Sequence, residues 1–259
     1  MQYSNITVAT TGHLATVTIN RPQARNALNA QTIQELTTAF TTLSHDRSLR
    51  CVLLTGAGTE AFFAGADLNE LASQPDPAAR RSFFESIATL VTTITNCPVP
   101  VVTAVHGFAL AGGTGLVAAS DIALASDDAV FGLPEVAVGL APMVVMAPLS
   151  ATVHARQLSY LALTGERIDA SQALAAGLIT RIVAKNSLNQ EAQTVCSLIA
   201  SRGPDAVKAT KRGLRDVAQR DPSSFIFELA DRSALVSIGQ EAHEGIAAFR
   251  EKRSPSWRS

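Results

Sequence analysis

Apolar positions recur along this chain in two rhythms. In residues 14–19 they alternate, and with residues 6–8 they flank Thr11-Gly12-His13, the pattern of an N-terminal hairpin that Asn20-Arg21-Pro22 ends. From residue 30 to 43 the rhythm changes. Ile33, Leu36, Phe40 and Leu43 fall three and four residues apart, which predicts an amphipathic helix. Residues 51–55 (CVLLT) are an unbroken apolar run, read as a buried strand closed by Gly56-Ala57-Gly58 and followed by a polar loop over residues 61–67. Asp76-Pro77 predicts an N-cap with proline in the first turn, and Phe83, Phe84, Ile87, Leu90, Val91 and Ile94 give the helix behind it a broad apolar face. Residues 99–105, β-branched and preceded by Cys97-Pro98, read as a second buried strand.

Beyond Glu135, residues 139–149 are almost wholly apolar and bracketed by Pro142 and Pro148, which suits either a short buried helix or the wall of an apolar pocket. Residues 159–164 and 171–176 are helical, the latter stopped by Gly177, and 178–183 read as a last strand. After Ser187 only helical patterns remain, over 188–201, 204–219, 223–237 and 240–252, punctuated by Gly203-Pro204 and Asp221-Pro222. The chain thus divides into an α/β part, residues 1–196, and a helical part, residues 197–259.

Composition narrows the function classes. The 259 residues suffice for one large domain with an appendage, and 47% hydrophobic residues, 17% charged and a formal net charge of -1 lack the basic excess of a nucleic-acid binder. Cys51, Cys97 and Cys196 sit apart in apolar surroundings without a Cys-x-x-Cys pair, as core thiols of a reducing compartment do. The N-terminus has no basic segment leading into an apolar run, and no window matches a membrane span, so the expected location is cytoplasmic and no membrane partner is expected. Asn5-Ile6-Thr7 is then a chance match to a glycosylation acceptor.

The chemistry concentrates between His106 and Glu135. A buried strand runs there into Gly112-Gly113 and on into a small-residue helix over 114–119, which leaves several N–H groups without intrahelical partners converging on one point. No Gly-x-Gly-x-x-Gly and no Gly-Lys-Ser/Thr accompanies it, so a single oxyanion is a better occupant than a phosphate. His106 reads as a core or turn histidine; His13, His45, His154 and His243 are too dispersed for a metal or a triad.

Taken together, Arg21-Pro-x-x-Arg-Asn-Ala-Leu-Asn29, Phe63-Ala-Gly-Ala-Asp-Leu68, Pro100-Val-Val-Thr-Ala-Val-His-Gly-Phe-Ala-Leu-Ala-Gly-Gly113, Phe131-Gly-Leu-Pro-Glu135 and Leu163-Thr-Gly-x-x-Ile-x-Ala170 resemble the crotonase (enoyl-CoA hydratase/isomerase) superfamily, in order and over most of the chain. The resemblance implies a crotonase-like spiral of ββα repeats, a C-terminal helical oligomerisation region, and a homotrimer or dimer of trimers. It implies an acyl-CoA thioester as substrate, with no cofactor, since coenzyme A is part of that substrate, and no metal. By motif, the amides of Ala66 and Gly112 would hold the thioester oxygen and Glu135 would be the acid/base; Pro-Glu alone reads as a first-turn helix glutamate. The same carry-over places Ala64, Asp67, Leu68, Gly113 and Met143 against the substrate, with Met143 and Met146 lining the acyl pocket. Arg25 and Ala27 would lie along the nucleotide end of coenzyme A, and Phe249 and Lys252 would reach a neighbouring subunit's. Taken singly, Arg25 also reads as a solvated surface arginine, Asp67 as a loop cap and Lys252 as an exposed terminal lysine.

Two positions depart from the hydratase pattern. A second glutamate is replaced by Gly115, and a small glycine-rich segment eight residues after the Pro-Glu carboxylate begins here with Met143. Both changes remove polarity or room for water. The expectation is therefore an isomerase, moving a double bond from 3-enoyl-CoA to 2-enoyl-CoA with one glutamate. Hydration of 2-enoyl-CoA is the alternative, and a non-catalytic acyl-CoA binder the alternative of another class.

Overall fold

The computed structural model describes residues 3–73 and 76–258. Its strands, in chain order, are β1 (Ile6–Thr11), β2 (Leu14–Ile19), β3 (Cys51–Gly56), β4 (Ala61–Phe63), β5 (Val101–Val105), β6 (Phe108–Leu110), β7 (Ile122–Ser126), β8 (Val130–Gly132), β9 (Arg167–Asp169) and β10 (Arg181–Val183). The helices are α1 (Ala30–His45), α2 (Leu68–Ser73), α3 (Pro77–Thr95), α4 (Gly112–Ala119), α5 (Met143–Thr152), α6 (Ala155–Thr164), α7 (Ala170–Ala175), α8 (Leu188–Ala200), α9 (Pro204–Gln219), α10 (Pro222–Ser237) and α11 (Gln240–Arg250).

The hairpin forms as its alternation predicts, with Ala15, Val17 and Ile19 turned inward and Ile6 paired with Ile19. Its second strand starts a six-stranded sheet, β1-β2-β3-β5-β7-β10, in which every pair after the hairpin is parallel. A second sheet, β4-β6-β8-β9, collects the short strands. Three times the chain gives one strand to the large sheet and the next to the small one: β3 then β4, β5 then β6, β7 then β8. Helices follow each pair, which is the ββα spiral.

Caps set the helix starts. Asn29 accepts from the Thr32 amide at 2.9 Å and Asp76 from the Ala79 amide at 2.8 Å, each satisfying a first-turn N–H. The predicted apolar faces of α1 and α3 pack against one another and against one face of the large sheet, and α4 joins the same core. α8 covers the opposite face through Leu188, Ala192 and Cys196, which meet Cys51, Leu53, Val102, Ala104 and Leu124. Burying a side chain such as Leu188 stabilises the fold by roughly 1.5–3 kcal/mol. All three cysteines are free and buried, and the hydrogen-bonding Cys196 beside it, together with burial, pushes the Cys51 thiol up. Cys196, where the sequence places the end of the α/β part, lies inside α8 and in the packing of the sheet itself.

Several sequence expectations are corrected. Residues 61–63 are a strand, not part of a polar loop, because Phe62 and Phe63 are fully buried and β4 pairs with β6. Three-residue strands such as β6, β8 and β9 are too short to carry a period of two. The strand expected over 99–105 starts at Val101, that over 178–183 at Arg181, and the helix expected from 159 at Ala155. α10 is broken at Phe225, whose φ of -136° interrupts the helix. In the segment bracketed by prolines, α5 buries Val145 and Leu149 but leaves Met143 66% exposed, so it is not a buried helix throughout. A part-buried ion pair helps fasten the helical tail to the sheet. Lys211 of α9, only 8% exposed, donates to the Asp121 carboxylate at 2.6 Å and to the Val99 carbonyl at 3.0 Å. Among the described residues no helix is long and apolar enough to cross a membrane.

Candidate active site

The glycine turn sits where the chain leaves the small sheet. β6 ends at Leu110, and Ala111 caps α4 with φ 52°, ψ -119°, a backbone conformation that costs a side-chain-bearing residue free energy and persists only where its surroundings impose it. The first bond inside α4 runs from the Gly115 amide to the Ala111 carbonyl at 3.2 Å. The amides of Gly112, Gly113 and Thr114 therefore precede the helical ladder. Glycine at 113 lets the turn lie on Phe63, since a Cβ there would meet the Phe63 backbone and ring closer than atoms pack.

A second amide comes from the loop after β4. Leu28 forms an isolated parallel bridge to Ala66: its N–H donates to Gly65 at 2.9 Å and its carbonyl accepts from Asp67 at 2.8 Å. A parallel bridge of this kind uses the residues on either side of Ala66, so the Ala66 N–H points to the opposite edge. Gly65, with φ 101°, brings that edge against the turn, and a Cβ on it would lie 3.0 Å from Ala111 Cβ and 3.4 Å from the Leu110 carbonyl. The loops carrying the Ala66 and Gly112 amides are thus in contact.

Asn26 holds the loop that supplies Leu28. It is fully buried, and its side-chain amide donates to the carbonyls of Ala57 at 2.9 Å and Ala61 at 2.8 Å while its oxygen accepts from Arg21 N–H at 2.9 Å. Asp67 faces the Arg21 guanidinium at 3.5 Å.

Glu135 follows β8. Gly132 is clamped to the start of α4, its carbonyl accepting from the Ala111 amide at 2.9 Å. The Thr114 hydroxyl is shared between the carbonyls of Ala109 at 2.7 Å and Gly132 at 2.9 Å, and it accepts from the Gly132 amide at 3.3 Å. Three residues on, Glu135 stands in the first turn of a 3-10 helix, Pro134–Val138. Its Oε2 is buried without a hydrogen-bond partner among the described residues, and burial pushes the carboxyl above its ordinary range, against a smaller lowering by its own backbone amide. A carboxyl so placed can take and return a proton.

The sequence model of the enoyl-CoA hydratase/isomerase family matches residues 9–259. The chain belongs to that family. This member of the crotonase superfamily is 32% identical over 254 residues, 98% of the chain and 97% of its relative, to the short-chain-enoyl-CoA hydratase of Clostridium acetobutylicum. Among solved structures it resembles an enoyl-CoA hydratase of Mycobacterium smegmatis, with TM-score 0.95 and 33% identity over 99% of this chain and 100% of the other. It also resembles that of Bacillus anthracis, with TM-score 0.94 and 32% identity over 98% and 99%. The crotonase-like fold expected from the motifs is the fold found.

Of the residues singled out in the sequence, Ala64, Ala66, Gly112, Gly113 and Glu135 lie on the elements just described. Arg25 is exposed and its Nε lies 3.2 Å from the Glu60 carboxylate, while the Ala27 carbonyl accepts from the Arg21 guanidinium. Leu68 is exposed at the start of α2. Phe249 and Lys252 stand at the end of α11, which packs on α9 and α10, and the Phe249 side chain is 85% exposed. Met143, at the start of α5, is exposed, while Val145 of the same helix packs against Gly115 of α4. Val145, Thr114 and Asn26 escaped the sequence reading. Only Asn26 had a usable signal, as a residue type that tolerates left-handed backbone, here φ 56°.

Proposed function

We propose that this family member shifts the double bond of enoyl-CoA thioesters, converting 3-enoyl-CoA to 2-enoyl-CoA. In the first step Glu135 takes a proton from C2. The electron pair spreads over the thioester carbonyl and the C3–C4 double bond, and the Ala66 and Gly112 amides hold the oxygen on which the charge grows. In the second step the Glu135 carboxyl returns the proton to C4 as the C2–C3 double bond forms. A single preorganised donor of this kind typically contributes about 10²–10³ in rate. Ala64, Asp67, Leu68 and Gly113 border the thioester in this reading.

The observation that carries the reading is at Gly115. A Cβ built there would lie 2.7 Å from Val145 Cβ and 3.5 Å from its Cα, so the position where the hydratase pattern has a second glutamate is filled by Val145. Glu135 is left to work alone, and adding water across a double bond asks for a group to orient the water besides the group that moves the proton. The test compares shift of a 3-enoyl-CoA with hydration of a 2-enoyl-CoA by the same preparation, before and after Glu135→Gln. Rapid hydration by the parent protein, with no double-bond shift, refutes the proposal and leaves the second reading, hydration, which the similarity to enoyl-CoA hydratases favours. Tight binding of several acyl-CoAs with no turnover of any identifies a binder instead.

The proposal extends to assembly. Leu214, Phe227, Leu235, Ile238 and Phe249 of α9–α11 all expose most of their apolar surface, which suits association of three copies through this region. In such a trimer Arg25 and Ala27 would border coenzyme A in one copy, and Phe249 and Lys252 would approach it from the next. Sedimentation at several concentrations tests this.

A further inference from the structure

We infer that Val145 decides the reaction of this site, by closing to water the notch that Gly115 leaves in α4. The inference rests on the double-bond shift proposed above and names the residue that enforces it. Gly115 lies three residues after Gly112 on the same helix, so the two share one face, and the notch at Gly115 opens one turn from the amide that faces the thioester oxygen. Val145 enters that notch from α5, which packs along α4. It is 4% exposed, and both its Cβ and Cγ1 come nearer to the Gly115 position than a side chain there would allow.

Three properties make valine an effective stopper. Its methyl groups neither donate nor accept, whereas a retained water needs two to four polar partners and a volume of about 10–15 Å³ for its centre. Its β-branch restricts χ1, so the methyls do not swing aside. And α5 is held at both ends of the path to Glu135: Leu149, one turn on, is fully buried, and the Leu140 amide donates to the Glu135 carbonyl at 3.0 Å. Among the described residues the buried Glu135 Oε2 has no direct hydrogen-bond partner.

The experiment uses the full chain and two substitutions, with hydration and double-bond shift measured on the same samples. Val145→Ala removes two methyl groups and opens the notch. Val145→Thr keeps the shape and adds a hydroxyl that can hold water. The expected result is a rise in the ratio of hydration to double-bond shift, by about tenfold or more in Val145→Ala, the scale at which pocket methyl groups discriminate. A rise is also expected in Val145→Thr, which keeps the outcome readable if the alanine variant unfolds. A merely structural role lowers both reactions together and leaves the ratio unchanged. An unchanged ratio in both variants, with the parent protein shifting double bonds, overturns the role of Val145 alone. A parent protein that hydrates and does not shift double bonds overturns the reading beneath it.

Discussion

Thr114→Val tests whether the glycine turn and Glu135 are held as one unit. The substitution keeps size and branching but removes a hydroxyl that is fully buried and joins three groups: the Ala109 carbonyl at 2.7 Å, the Gly132 carbonyl at 2.9 Å and the Gly132 amide at 3.3 Å. The Gly132 carbonyl retains the Ala111 amide at 2.9 Å, so it stays satisfied. The Ala109 carbonyl and the Gly132 amide each lose a partner where water cannot replace it. One net hydrogen bond and a share of the penalty for stranded polar groups come to about 2–3 kcal/mol. For a chain of this length that lowers the melting temperature by roughly 5–10 °C. Because Gly132 lies only three residues before Glu135, the carboxyl also loses its fixed distance from the Gly112 amide, and a displacement of about 1 Å costs on the order of 10²-fold in turnover. Urea unfolding and steady-state kinetics on Thr114→Val and Thr114→Ser check this. The serine variant keeps the hydroxyl and recovers most of kcat, with KM little changed in either. A valine variant as stable and as active as the parent would show that the clamp does not position the carboxyl.

Other expectations follow from the same contacts. Glu135→Gln should abolish proton transfer and alter stability with pH in a defined sense. The folded state raises this carboxyl above its unfolded value of about 4.3, so the folded chain binds the proton more tightly, and the parent loses stability as pH rises from there through the raised value. Urea titrations should therefore show the glutamine variant gaining on the parent at neutral pH and converging with it in acid, while the acid limb of kcat/KM for the parent lies above the ordinary glutamate range. Lys211→Met leaves the part-exposed Asp121 carboxylate with the Val101 amide but without its cation, at a cost of about 2 kcal/mol, and hydrogen exchange should rise first in α9. Asn26→Asp replaces two donated hydrogen bonds with repulsion between a carboxylate and two carbonyls, costing roughly 3 kcal/mol, and calorimetry should show the loss only partly restored at low pH, where the single O–H of the protonated acid can serve one of the two carbonyls.

Sequence periodicity showed the long elements and missed the short ones. α1 and α3 run for four turns or more, so their apolar stripes repeat often enough to be read, and Asp76-Pro77 marks the start of α3. The small sheet is built from three-residue strands whose pairing comes from distant parts of the chain, and nothing local marks Phe62-Phe63 as strand rather than loop. At the candidate site, motif order picks out the turn at Gly112-Gly113, the loop at Ala66 and Glu135, because backbone geometry of this kind demands glycine or alanine at fixed spacing. The partner of Gly115 was not, since Val145 stands thirty residues away and only the packing of α5 on α4 brings it there. Met143 and Val145 stand two residues apart in α5, yet only Val145 is buried, because successive positions of a helix are turned by a quarter of a circle or more.

In the proposed reaction the groups that polarise the carbonyl are main-chain amides, set by the Ala111 turn and the Leu28 bridge, and no exchange of side chains at Gly115 or Val145 deletes them. Chemistry in this scaffold is therefore divided between a part that mutation alters slowly and a part that it alters quickly. Descendants of such a chain can trade one reaction for another by paired exchanges between two helices while the activated thioester persists throughout, so divergence need not pass through an inert ancestor.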